Sequence, residues 1–398
     1  MSGLRAQRLA ARRARRGRAR RAAMLAVASA VVAIATVTGA ISALDGGRGA
    51  DAARSAASGS PHVDRLTAAP PPSATVTKSP SRKPSSPASS RSRATSAPPA
   101  SERGQRSSAG SALLYRHPDS EVLDWVRAHP ADPRTPLITS RIADRPAAVW
   151  FADPSPSTIA SRVRAVTSGA AARGRVPVLV AYAIPDRDCG GASEGGAPDL
   201  DAYDRWIDAF AAGLGSGEVV VVLEPDSIAQ AGCLPAARRA GRFASLARAG
   251  RVLKAADPKA RVYYDAGHSG WHPAGEQAAL LRQAGAASSA SSDGIFSNVS
   301  NFRPTSDEIT YDRRVLDALG GPARLGAVID TSRNGNGAPA DGSWCDPAGR
   351  RLGQAPTLST GQARIDAYLW VKLPGESDGC EGAPGTFSPS YAYALASS

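Results

Sequence analysis

Between residues 147 and 373, short apolar runs alternate with amphipathic stretches. The runs are Ala147–Phe151, Pro177–Tyr182, Val219–Leu223, Arg261–Tyr264, Gly294–Ser297, Leu325–Ile329 and Tyr368–Leu373. They are continuous, not alternating, and rich in Val, Ile and Tyr, as strands buried on both faces must be. The stretches Pro156–Ala172, Leu200–Leu214, Leu234–Ala256, Ala274–Ala284 and Ser306–Leu319 carry helical spacing, with Asp199 and Ser306 placed as N-caps. Seven strands alternating with helices predict a parallel α/β barrel or an open doubly wound sheet. No internal repeat is visible.

In either architecture the chemistry sits where strands end. Four apolar runs lead into an aspartate: VPVLVAYAIPDRDC into Asp188, VVVVLEPDS into Asp226, RVYYDAGHSGW into Asp265 and YLWVKLPGESDGC into Asp378. Asp186, Glu224, Asn298 and Asp330 occupy strand ends as well, whereas the strand starts are bland. Acids delivered by successive parallel strands converge. A cleft with several carboxylates and almost no free cation can protonate one oxygen and activate a water, as acetal hydrolysis requires.

Composition changes this picture mainly at the N-terminus. The chain has 398 residues and a formal charge of +13. Residues 1–110 hold 19 Lys and Arg against 4 Asp and Glu, while 111–398 hold 29 against 31. The foldable part is therefore slightly acidic, and nucleic acid is not an expected partner. Residues 1–21 form a basic cytoplasmic flank with nine arginines between positions 5 and 21, and Ala22–Leu44 is an uncharged run of 23 residues. This pattern predicts export, through either a cleaved signal peptide or an uncleaved membrane anchor. The product is then secreted or held on the outer face of the cytoplasmic membrane. Residues 45–110 are Ser-, Pro- and Ala-rich, too poor in large apolar groups to offset the entropy of ordering, and read as a disordered linker. The folded domain is expected over 111–398. Four cysteines with no CxxC spacing, Cys189, Cys233, Cys345 and Cys380, suit two disulfides in an exported chain, with three connectivities open.

Each motif has a structural alternative. Glu224 suits a helix cap, or, with Asp226, a general acid raised by apolar walls and neighbouring carboxylates. Asp188 suits a surface ion pair with Arg187, and Glu376 with Asp378 a Gly-rich turn. Lys372, one of five lysines against 43 arginines, stands in an apolar strand and needs an anionic or hydroxyl partner. His268 and His272 are four apart, but Gly270–Trp271 between them is not helical, so no metal is expected. Trp271 and His268 beside Asp265 suit a sugar platform instead, as do Trp150 and Trp344. No GxSxG elbow, P-loop or strand-borne GxGxxG is present. The segment DTSRNGNG reads only as a Gly-rich loop without lysine.

Taken in order, the strings YAIPDRDCG, GGAP with AYDRWIDAFAAGL, LEPDS, VYYDAGHSGWH, NVSNF, AVIDTSRNGNG, SWCDPAGR and LWVKLPGESDGC resemble glycoside hydrolase family six, the inverting cellulases. The likeness covers about Ser111 to the C-terminus. It implies a distorted seven-stranded parallel α/β barrel, TIM-like, and hydrolysis of β-1,4-glucosidic bonds in cellulose or related glucans with inversion. By position it implies Asp226 as general acid, Asp188 as the group raising it and steadying positive charge, Asp378 as candidate base and Asp265 as supporting acid. A water chain is an alternative route for the base's proton. Tyr182 would distort the sugar, and Trp150, His268, Trp271, Asn301, Trp344, Lys372 and Glu376 would hold neighbouring glucose units. The implied disulfides are Cys189–Cys233 and Cys345–Cys380. Ser193 is nearest to a serine expected to hold the attacking water, but Glu194 replaces a second small polar residue. The short segment after the last strand predicts an open cleft and endo action. The expected partner is a β-1,4-glucan chain alone, with no cofactor, and the expected state is a monomer. A non-catalytic glucan-binding protein and a hydrolase of another glycan, such as a xylan, are the competing readings.

Overall fold

The computed structural model describes residues 113–397; the basic flank, the 22–44 segment and the 45–110 linker lie outside the described residues. Seven parallel strands form one curled sheet: β2 (Val149–Phe151), β4 (Val178–Ala181), β5 (Val219–Leu223), β6 (Ala260–Asp265), β7 (Gly294–Ser297), β8 (Gly326–Asp330) and β9 (Ile365–Leu369), hydrogen-bonded in that order. A two-residue pair, β1 (Leu113–Leu114) with β3 (Arg175–Val176), stands apart. All seven expected strands are present, and the distorted barrel replaces the open sheet as the answer. The last strand ends four residues earlier than its apolar run, so Lys372 lies beyond it and not within it.

Alternation along the strands builds two cores. Val178, Val180, Val220, Val222, Tyr263, Phe296, Val328 and Leu369 fill the concave interior. Leu179, Ala181, Val219, Val221, Leu223, Val262, Ile295 and Ile329 face the helices. Both sets are buried, which is why the runs carry no polar alternation; each such side chain contributes about 1.5–3 kcal/mol. Gly294 is required where β7 meets β8, because its φ is +146° and a Cβ there would stand 1.7 Å from the Gly326 carbonyl oxygen.

The helices are α1 (Glu121–Ala128), α2 (Thr135–Ile138), α3 (Pro156–Ala171), α4 (Leu200–Ala211), α5 (Ala236–Ala256), α6 (Ala274–Gln283), α7 (Thr305–Leu319) and α8 (Pro389–Ser397). Asp199 caps α4 by accepting the Ala202 N–H at 2.7 Å. Ser306 is not a cap: α7 starts one residue earlier, after Pro304, and the Ser306 hydroxyl donates to Asp307. The curled sheet does not close by strand pairing. Across the seam run the Ala148 N–H to the Trp370 carbonyl at 2.9 Å and the Trp150 indole N–H to the Val371 carbonyl at 2.7 Å. A third apolar cluster lies there, joining Val122, Ile138 and Ile142 to Trp370, Leu373 and Ala392.

Candidate active site

Loops at the carboxyl ends of the strands surround a cleft of about 1250 Å³. These loops are conformationally expensive. Asp186, Asp188 and Cys189 after β4, Glu224 and Asp226 after β5, and Asn298 and Ser300 after β7 all adopt positive φ. Non-glycine residues hold that conformation only where surroundings enforce it, and such residues gather at working sites.

Asp226 lies on the cleft floor, half-buried. Burial first, then the charges of Asp265 and Asp188, push its carboxyl up to about 8. Asp265 lies beneath it, 1% exposed; its Oδ2 accepts the N–H groups of Ile228 (3.0 Å) and Ala229 (2.8 Å), and its Oδ1 that of Gly267 (2.9 Å). Those donors fix the loop that presents Asp226. Burial also raises Asp265, with the same N–H groups opposing.

Asp188 has a different neighbourhood. Its Oδ2 accepts both the backbone N–H (2.8 Å) and the hydroxyl (3.0 Å) of Ser193, whose oxygen is 3.0 Å from the Tyr182 hydroxyl. Burial and then the Asp226 charge hold the Tyr182 phenol above its ordinary value. Trp150 meets Tyr182 edge-on at 5.2 Å between ring centroids. Glu194 is exposed on the cleft rim.

On the opposite side, Asp378 is engaged by cations. Its Oδ2 accepts from Arg333 Nη1 at 2.7 Å, and Lys372 Nζ stands 3.4 Å from its Oδ1. Arg333 is wholly buried and stacks over Phe302 at 4.5 Å. Arg187, Arg333 and Lys372 stand at or behind the cleft, but each is tied to a partner and so is not a free cation. Asp346 takes the N–H of Asp378 (2.7 Å), Cys380 (3.1 Å) and Glu381 (2.8 Å) and the Ser377 hydroxyl (2.6 Å), folding the loop around itself. Burial opposes its ionisation, but these bonds hold its carboxyl below the ordinary range. Sequence reasoning missed Arg333 and Asp346. The signal available was an arginine three residues after the Asp330 strand end, with no other charge before Asp341.

Every residue expected to contact substrate lines this one cleft, while Asp265 backs it. His268 and Trp271 lie 5.3 Å apart by ring centroid. Burial, with the nearby charges of Arg303 and His272, lowers His268 to about 4, so its ring is neutral at ordinary pH; its Nδ1 accepts the Gly270 N–H. Trp344 is 59% exposed at the mouth. Burial pushes Glu376 up to about 7 against the pull of Lys372. Asn301 also lines the cleft. Asp186, Glu224, Asn298 and Asp330 do not line the cleft; Asp330, for instance, accepts the N–H of Lys372 (3.0 Å) and Ser332 (2.9 Å). The disulfides are Cys189–Cys233 and Cys345–Cys380, with Cα separations of 6.2 and 5.9 Å. Each joins a loop carrying an acid to a neighbouring loop.

A raised carboxyl and an ion-paired one within an aromatic-walled groove suit the chemistry of a glycoside hydrolase. Comparison places the chain within that class: the family model described as glycosyl hydrolases family 6 matches residues 114–394, and the chain belongs to this family. It is 52% identical over 284 residues to "Endoglucanase 1" of Streptomyces sp. (strain KSM-9), covering 71% of this chain and 77% of that protein. It is 51% identical over 284 residues to "Endoglucanase A" of Thermobispora bispora, covering 71% of this chain and 61% of that protein. Its fold matches the endoglucanase Cel6 from Mycobacterium tuberculosis, solved with a thio-linked cellobioside, at 39% identity and a TM-score of 0.66, over 72% of this chain and 97% of that one.

Proposed function

We propose that the protein cleaves β-1,4-glucosidic bonds within cellulose or a related β-glucan, with inversion at the anomeric carbon. The observation that carries this is the Asp226 carboxyl, kept protonated at neutral pH by burial and by Asp265 and Asp188. A protonated acid in the floor of a cleft can hand its proton to the departing glycosidic oxygen. Asp188 then faces the positive charge that develops on the sugar ring, and its loss of contact with water strengthens that stabilisation. Tyr182, wedged between Trp150 and Ser193, crowds the sugar at the cleavage point.

The water attacks from the opposite face, and an inverting pair leaves it room by standing roughly 6.5–9.5 Å apart. Asp378 is the proposed base. A second reading sends the proton through water to Asp188 by way of Ser193. The ion pairs of Asp378 with Arg333 and Lys372 favour this route, since both its oxygens are already engaged by cations and turned from a free water. Azide speeds an Asp378→Ala variant, giving a glycosyl azide, if Asp378 is the base, and leaves its rate unchanged if the relay carries the proton.

Endo action is supported by the endoglucanase names of the similar proteins. The disulfides suit an oxidising compartment, so export through residues 22–44, with 45–110 as a linker to a catalytic domain at 111–398, remains part of the reading. Mass spectrometry of the mature N-terminus separates secretion from anchoring. Proton NMR of cellohexaose hydrolysis is the central test: the α-anomer must appear first, and an initial β-anomer overturns inversion. Carboxymethylcellulose viscosity must fall faster than reducing ends accumulate.

A further inference from the structure

Two charged side chains lie buried behind the cleft without lining it. Glu224, just past β5, is 0% exposed, and Arg242 on α5 is 2% exposed. Neither has a place in the chemistry above. Between them they hold the backbone that leads to both proposed acids.

Glu224 accepts the Ala183 N–H at 3.0 Å (Oε1) and 2.9 Å (Oε2), and the Ile184 N–H at 3.0 Å. Arg242 Nη2 donates to the carbonyls of Pro185 (2.8 Å) and Asp186 (3.0 Å), and Nη1 reaches that of Ser227 at 3.4 Å. Each residue from 183 to 186 therefore has a backbone group on one of these two side chains, and Asp188 lies two residues further on. On the other loop, Glu224 precedes Asp226 by two residues and Ser227 follows it by one. A guanidinium withdrawn from water onto neutral carbonyls is a costly way to hold a loop. It is placed where Asp186, Asp188, Glu224 and Asp226 all hold positive φ, a conformation that must be imposed from outside.

We infer that Arg242 and Glu224 are positioning residues that cross-brace the β4 and β5 loops and so set the separation of Asp188 from Asp226. This rests on the proposed role of Asp226 as the acid. The groups that face Asp226 are Asp265, Asp188 and Tyr182; those that face Arg242 are Asp186, Glu224, Tyr203 and Arg238. Loosening the brace lets Asp188 swing away, and Asp226 then loses one of the two negative charges that keep its proton on.

The test uses the full chain with cellohexaose. Arg242→Met is expected to lower kcat by about ten- to a hundredfold, with KM changed by no more than about twofold. The basic limb of its pH profile moves down by about half a unit or more. Arg242→Lys keeps the buried charge but reaches fewer carbonyls, so it regains part of kcat and part of the limb. A fall in Tm with the limb in place in both variants makes the brace purely structural and overturns the inference. If Arg242→Met does not fold, Arg242→Lys decides: wild-type kcat and an unmoved limb overturn it. Asp226→Asn in the same assay separates the two ideas. Wild-type hydrolysis by Asp226→Asn removes the acid reading and the brace with it, whereas an inactive Asp226→Asn beside unmoved Arg242 limbs removes the brace alone.

Discussion

The two sides of the cleft treat the same side chain in opposite ways. On the β4–β5 side, Asp226 meets burial, Asp265 and Asp188, and no cation bonds its carboxyl among the described residues. On the β8–β9 side, Asp378 is clasped by Arg333 and Lys372, and a third acid, Asp346, folds its loop. An aspartate thus becomes a raised carboxyl or an ion-pair partner through what the neighbouring loops bring to it, and strand position alone distinguishes neither. The largest expected effect that tests this contrast is on activity. Asp226→Asn should lower kcat by about three orders of magnitude on cellohexaose, and far less on a dinitrophenyl cellobioside, whose leaving group needs no proton. Equal losses on both substrates would sink the acid assignment.

Stability sharpens the contrast next. Arg333→Met removes one partner of a buried ion pair and should cost about 3–5 kcal/mol in urea unfolding. Asp226→Asn should instead raise Tm at neutral pH. Its folded carboxyl sits at about 8 while the unfolded one sits near the ordinary 3.8. The wild type therefore loses stability as pH rises between those values, and the variant does not, so the gap must widen from pH 4 to 8. A gap that stays constant across this range refutes the raised carboxyl.

Catalytic pH dependence is a smaller, independent probe. Protonated Asp226 is the proposed working form, so kcat/KM should fall as pH climbs through about 8. Asp188→Asn, by removing one neighbouring charge, should move that limb downward even as it slows the reaction. The smallest effect belongs to His268, which burial holds at about 4. His268→Gln should raise KM by roughly three- to tenfold and leave the profile between pH 5 and 8 unchanged.

The seven strands were legible as continuous apolar runs and five of the helices by their helical spacing, since both signals lie within short stretches of sequence. Helices α1, α2 and α8 were not. Their apolar faces are short, and Val122 and Ala392 are buried against each other's cluster from opposite ends of the domain. The acids were legible as strand-end residues, and motif resemblance gave the cysteine pairing. Arg333 was not legible, since an arginine in a Gly-rich loop looks exposed until Asp378, 45 residues later, covers it. Glu224 and Asp226 are two residues apart and both carry raised carboxyls, yet one faces the groove and the other faces α5. Sequence spacing does not resolve that, because a turn with two positive φ values breaks the alternation of the strand before it.

The seam between the outer strands has a mechanical consequence. A barrel closed by strand pairing has a fixed girth. Here the circumference is completed by one peptide hydrogen bond, the Trp150 indole and the apolar cluster around Trp370 and Leu373, so this joint rests on side-chain packing and not on a ladder. The same indole is part of the groove's wall. Any guest that tilts the ring therefore pulls on the joint, and the width of the groove and the roundness of the barrel change together.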